Sequence, residues 1–239
     1  KNLNKSVKES TTAEVFESLD VGASKTEQIV SKYQNLIVGF ITISILIVLS
    51  YLGYQNFVLN PQSEEANNEL FLAQNYFNQA LSDVDNRDSL FTLSLNGSEG
   101  KYGFLDIIEN YSATDAADIA TYSAGMAYYN LNDFENSINY LQKFSSDDEI
   151  LNALALGVIG DSFAELNQLQ DALDSYESAI NSSKNQFTTP KFLLKAGNIS
   201  SLLGKKGEAL KFYERIKKDY SKSPESNLID IQIGKNSID

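Results

Sequence analysis

The chain has no cysteine, no histidine and no tryptophan, and only one methionine and three prolines in 239 residues. Without cysteine or histidine there are no disulfides, no thiolate nucleophiles, no imidazole bases and none of the usual zinc sites. Most familiar catalytic machinery is thereby excluded. Positive charge is also scarce: 19 Lys and Arg stand against 32 Asp and Glu, for a formal charge of -13. That balance argues against binding to a nucleic-acid backbone, which needs clustered cations. Thirteen Tyr and thirteen Phe beside so few prolines point instead to packed helices.

What the chain does have is a long apolar run, LIVGFITISILIVLSYLGY, from Leu36 to Tyr54. Its 19 residues at about 1.5 Å rise cover roughly 28 Å, the hydrocarbon thickness of a bilayer. Twelve of them are Leu, Ile, Val or Phe, which favours insertion by about 4 to 7 kcal/mol. The uncharged stretch extends from Tyr33 to Ser63, with Tyr33, Tyr51 and Tyr54 placed as interfacial aromatics. A cleavable signal has a short basic leader, an apolar core of about 7 to 15 residues and small residues before the cut. Here 32 residues precede the run and Tyr-Gln-Asn-Phe-Val follows it, so a retained anchor is expected. Lys25 and Lys32 lie just before the span and the next cation after it is Arg87, which places the N-terminus in the cytoplasm and the rest outside. Residues 1–32 hold five Lys and five acids, so the exported part carries the whole net -13. Thr42, Ser44, Ser50 and Gly53 are candidates for packing the span against another protein's helices.

Before the span, Val15, Phe16 and Leu19 share one face of a short amphipathic pattern, and Ser24 with Glu27 forms a capping box for the next helix. This segment either rests on the bilayer surface or docks to a partner.

Past the span three windows align: YSAGMAYYNLNDFENSINYLQKF from Tyr122, VIGDSFAELNQLQDALDSYESAI from Val158 and LKAGNISSLLGKKGEALKFYERI from Leu194. Gly125, Gly160 and Gly197 recur at intervals of 35 and 37, each followed twelve residues on by a small residue, Ser137, Ala172 or Ala209. This is close to the tetratricopeptide unit of about 34 residues, a helical hairpin whose small residues let its two helices approach. Asn132-Asp133, Asn167-Gln168 and Gly204-Lys205 fall at the turns, Ser145-Ser146-Asp147-Asp148-Glu149 and Pro190 at helix starts, and Ser223-Pro224 at the end of the last helix. The longer second interval predicts a longer loop near Asn181 to Thr189. Ahead of the repeats, Glu64 to Val84 is an amphipathic helix with Phe104 to Tyr111 as its partner, and the DNRDSLFTLSLNGSEGKYG between them reads as a lobed loop or short hairpin.

The predicted fold is therefore all-α: one transmembrane helix, then an α-solenoid of three regular tetratricopeptide repeats behind one irregular helical unit. The expected boundaries are 1–32 cytoplasmic segment, 33–58 span, 59–112 irregular unit with its insertion, 113–225 repeats and 226–239 tail. Stacked repeats present their first helices along a concave groove. That face comprises Ile119, Tyr122, Met126 and Tyr129, then Leu154, Gly157, Asp161 and Ala164, then Lys191, Leu194, Asn198 and Ser201. Its aromatic and apolar first set suits extended or helical peptide segments. The groove is open to a partner unless the chain's own tail, Leu228 to Ile233, fills it.

Other chemistry is thin. Asp83, Asp85 and Asp88 mimic a calcium loop, but Arg87, Asp88 and Ser94 fall where an oxygen ligand, a glycine and a bidentate glutamate are needed, so a solvated turn is expected and no metal. Asp147, Asp148 and Glu149 fit a helix start better than an acid/base pair. Asp88-Ser89-Leu90 fits a bacterial O-glycosylation motif at Ser89. No catalytic residue and no cofactor is expected.

The order of cytoplasmic segment, span and exported repeats, with the strings STTAEVF, YLGYQNFV, KYGFLDIIENYS and FSSDDEILNALALGVIGDSFAEL, resembles the YfgM-like family of bacterial inner-membrane proteins. The resemblance implies a periplasmic accessory subunit of the SecYEG translocon, working beside a membrane-anchored chaperone of PpiD type on newly exported chains. A scaffold of another envelope complex, in cell division or outer-membrane assembly, is the alternative.

Overall fold

The computed structural model describes residues 31–237, so the patterns at Val15–Leu19 and Ser24–Glu27 lie outside the described residues. The chain divides into two compact units between Val58 and Leu59.

In the first unit residues 31–54 form one helix, α1, followed by a π-helical turn Gln55–Leu59. The helical run from Ser31 includes an 18-residue window of mean hydropathy 2.5, none of it buried. By length and composition it is a candidate membrane span. Its apolar side chains are bare, Phe40 being 71% exposed. The hydroxyls of Thr42 and Ser44 donate to the carbonyls of Val38 and Phe40 at 2.8 and 2.9 Å, satisfying themselves within the helix.

Among the described residues the regular elements of the second unit are all helical, apart from an isolated antiparallel bridge between Ser98 and Lys101. It opens with α2 (Asn60–Ser82), α3 (Arg87–Asn96) and α4 (Phe104–Asn110). Here the structure corrects the sequence: the stretch read as a lobed loop or hairpin contains a ten-residue helix, α3. Phe91 on α3 is fully buried and meets Phe77 of α2 edge-on at 5.3 Å, with Phe104 of α4 6.1 Å from Phe77. The expected turn at Asn96-Gly97 does form: Gly97 has φ 73° and a Cβ there would lie 2.0 Å from the Lys101 carbonyl.

Three hairpins follow, α5 (Asp115–Asn130) with α6 (Phe134–Leu141), α7 (Glu149–Glu165) with α8 (Leu169–Ser182), and α9 (Thr189–Leu202) with α10 (Lys206–Asp219). Their turns are the same turn. Asn132, Asn167 and Gly204 take φ of 60°, 58° and 74°. The next residue's N–H donates to a carbonyl five residues back in each: Asp133 to Tyr128, Gln168 to Phe163 and Lys205 to Ser200. This Schellman closure needs a left-handed residue, which Gly and Asn adopt at least cost. Helix starts are fixed by Thr114, which accepts from Ala117 N–H, by Asp148, which accepts from Ile150 and Leu151 N–H, and by Pro190.

Inside each hairpin a glycine lets the second helix come close. Ser137, Ala172 and Ala209 are fully buried as expected, but what rests on each glycine is the larger residue four positions further on. A Cβ on Gly125, Gly160 or Gly197 would meet Leu141, Tyr176 or Tyr213 at 2.5, 2.6 and 2.4 Å. After α10, Ser223 caps a 3₁₀ turn, Pro224–Asn227, and α11 (Ile229–Ser237) packs on α10 with Ile229 fully buried. Lys217 pairs with Asp230 at 2.7 Å and Ser201 donates to Asn236 at 2.9 Å. The tail therefore closes the last hairpin.

Candidate partner-binding groove

The first helices of the repeats run parallel to α2. Ser123 of α5 donates to Gln74 of α2 at 3.4 Å, Arg87 just after α2 reaches Asn130 at the end of α5, and Glu65 near the start of α2 lies against Tyr111 just before α5. Tyr129, late in α5, likewise feels Asp161 and Glu165, late in α7. The sequence-predicted face thus lies along α5, α7 and α9.

Its members differ in what they offer. Ile119 is 47% exposed and lines a cleft of about 480 Å³ with Asp115, Asp118, Phe144, Asp147 and Leu151. Tyr122 is half-buried, its ring 5.1 Å from Phe144, and packs against the α5–α6–α7 core. Met126 packs against the first core, and Tyr129 meets Phe134 edge-on at 5.7 Å. Burial, then the charges of Asp161 and Glu165, push the Tyr129 hydroxyl pKa up. Leu154 and Leu194 fill the seam between the last two repeats, and Gly157 lies under Phe192. Lys191 is exposed.

Asp161 and Asn198 are engaged within the protein. The Tyr176 hydroxyl donates to Asp161 at 2.6 Å, and the Tyr213 hydroxyl donates to Asn198 at 2.9 Å, each fifteen residues along. Lys195 of α9 also grips Asp161, at 2.6 Å to Oδ2, which ties α7 to α9. Burial, followed by the Asp161 charge and hydrogen bond, holds Tyr176 protonated far above the usual phenol range. Sequence reading missed Lys195, although opposite charges one repeat length apart were the available signal. It also missed the acidic mouth beside Ile119. Burial, then the charge of Asp115, pushes the Asp118 carboxyl pKa up, and among the described residues no cation pairs with Asp115, Asp118 or Asp147.

The Asp83 turn is a solvated Asx turn whose carboxylate accepts from the Asn86 side-chain amide at 3.0 Å and from the Asn86 and Asp85 N–H groups at 3.1 Å, which lowers its pKa. Among the described residues no acidic cluster could hold a metal ion. Ser89 is exposed in the first turn of α3, and in α1 Ser50 is exposed while Gly53 has open space beside it.

Two family models described as tetratricopeptide repeat match the chain, over residues 120–146 and 192–223. The hairpins are tetratricopeptide repeats. The middle repeat, between the two matches, has the glycine of both, the left-handed asparagine of the first and the packed tyrosine of the third. No curated protein matches the chain. Tetratricopeptide domains are protein–protein interaction scaffolds, and no catalytic family is matched.

Proposed function

We propose that the chain is a membrane-tethered periplasmic scaffold of the YfgM-like family, an accessory subunit of the SecYEG translocon that holds a chaperone of PpiD type or newly exported chains near the membrane. Supporting this reading are the apolar helix α1, the tetratricopeptide domain directly after it, and the lysines on its N-terminal flank. The organisation is 1–32 cytoplasmic, 33–58 in the inner membrane, 59–112 and 113–225 as the irregular and regular parts of the scaffold, and 226–239 as its closing tail. Thr42, Ser44, Ser50 and Gly53 pack the span against neighbouring helices.

The observation that carries the proposal is the junction of a bare apolar helix with a repeat face that stays open at Ile119. Tethering acts by effective concentration: confinement beside the membrane replaces a bimolecular encounter by a local one at about millimolar concentration. The partner's segment enters at Ile119 and Leu151, follows Tyr122, Met126 and Tyr129, and passes Leu154, Asp161, Lys191, Leu194 and Asn198. Unpaired acids at the mouth select segments carrying a cation beside an apolar residue.

Purification of the full chain in several mild detergents, with identification of what accompanies it, tests this function. Translocon subunits co-purify with the native chain and are reduced by Ile119→Asp. Their absence in every detergent overturns the translocon assignment.

A further inference from the structure

Charge in the second unit is sharply divided. Residues 59–183 carry 21 acids and 3 cations, whereas residues 184–222 carry 3 acids and 10 cations. The positive stretch begins at the longer loop that the 37-residue interval required. That loop is firmly built. The Asn185 side-chain Oδ1 accepts from Phe187 and Thr188 N–H at 2.7 Å, its Nδ2 donates to the Ser183 and Thr188 hydroxyls at 2.7 Å, and the Thr189 hydroxyl donates to the Ser183 backbone carbonyl at 2.8 Å. Thr188 and Thr189 are fully buried, yet Phe187 between them and the tip is 71% exposed. A loop held by this many bonds shows an aromatic ring to solvent without any packing reason.

Lysines gather at the same loop. Lys184 and Lys191 flank Phe187 in the chain and are exposed. Lys222 is brought to the loop by the fold, since it lines one cavity of about 620 Å³ with Gln186, the one acid there being Asp219, which lies 3.9 Å from Arg215. None of the three forms an ion pair among the described residues. The loop also lies at a particular end of the domain. Because α2 and the first helices of the repeats are parallel, the connections before α5, α7 and α9 share the end at which α2 begins, the end where the chain continues into the apolar run.

We propose that Phe187 with Lys184, Lys191 and Lys222 forms a membrane-contact corner that binds anionic lipid headgroups. Phe187 enters the interface while the ammonium groups meet phosphates, the arrangement that suits an aromatic ring and cations at a bilayer surface. The lysines complement anionic lipid, and the acids Asp115 and Asp147 at the same end are repelled by it. Contact is therefore confined to this corner and leaves the Ile119 cleft clear of lipid. The inference rests on α1 as a membrane span but not on any translocon partner.

Tryptophan is absent from the sequence, so one introduced indole reports without background. The full chain carrying Phe187→Trp, reconstituted in vesicles with and without phosphatidylglycerol, is compared with Leu202→Trp, which is also 71% exposed but at the opposite end of α9. Brominated lipid quenches the indole at 187 in anionic vesicles and spares the one at 202. Each Lys→Gln change at 184, 191 or 222 weakens that contact about fivefold. Equal quenching at the two positions overturns the corner, and so does protection at 187 that appears only when an acidic protein is added. Flotation of the same samples with the vesicles checks the span separately: a chain that fails to float removes the anchor, whereas one that floats unquenched removes only the corner.

Discussion

Gly157→Ala is the sharpest test of how the second and third repeats are joined. Gly157 sits mid-helix in α7, where alanine ordinarily gains about 0.5 to 1 kcal/mol over glycine. Here the added Cβ would lie 2.0 and 2.2 Å from Cε1 and Cζ of Phe192. Phe192 cannot swing aside cheaply, for it is 2% exposed and stacked on Tyr176 at 6.4 Å. Forcing a methyl into such a seam costs about 1 to 3 kcal/mol, so the packing loss exceeds the propensity gain and the net is about 1 to 2 kcal/mol destabilising. For a domain of this size that lowers the melting temperature by roughly 2 to 8 °C. Gly207→Ala is the matched control. Nothing lies within 4 Å of the Cβ it adds in the first turn of α10, and it raises the melting temperature by roughly 1 to 4 °C. Thermal unfolding of the full chain by circular dichroism in one detergent reads both. Adding Phe192→Leu to Gly157→Ala recovers stability relative to the sum of the two changes. A Gly157→Ala protein that melts at or above the parent refutes the close approach of α7 and α9.

Two further outcomes follow from the charges. Asp161→Ala strips a carboxylate that holds both the Tyr176 hydroxyl and Lys195 and costs about 2 kcal/mol, with Asp161 and Lys195 side chains 19% and 30% exposed, which places the pair between the surface and buried cases. Lys195→Met costs less, and a denaturant double-mutant cycle gives a coupling of about 1 kcal/mol; a coupling of zero means the contact is not formed in solution. Asp118 has its carboxyl raised by burial and by Asp115, so its ionisation opposes folding. Asp118→Asn therefore stabilises near neutral pH, and the advantage fades as pH falls through the folded-state value toward the ordinary aspartate range, where the parent carboxyl is also neutral. An advantage that grows on acidification contradicts the sign.

The repeats were legible because their constraints are local and recur. A left-handed turn residue and a glycine under a large side chain must each reappear every repeat, so Asn132, Asn167 and Gly204, or Gly125, Gly160 and Gly197, announce themselves by spacing. The helix α3 was not legible. Phe91, Leu93 and Leu95 alternate with polar residues, the strand signature, and only burial of Phe91 against Phe77 selects the helix. The surroundings of the candidate groove positions were only partly legible. Spacing placed Asp161 and Asn198 on the right helices but could not show that Tyr176 and Tyr213 take their oxygens, because that depends on how far each hairpin closes over its glycine.

That closure has a consequence for binding. In the second and third repeats the same tyrosine rests on the helix glycine and donates to the polar group at the groove position, so those two repeats are locked from inside. In the first repeat Leu141 replaces the tyrosine and Met126 the polar partner, and no such bond is possible. Met126 is flexible and unbranched, and it lies between Tyr122 and Tyr129 on a first helix whose start opens into an unfilled cleft. In the proposed scaffold α5 is therefore the adaptable element, while α7 and α9 supply the rigid frame that holds it in place.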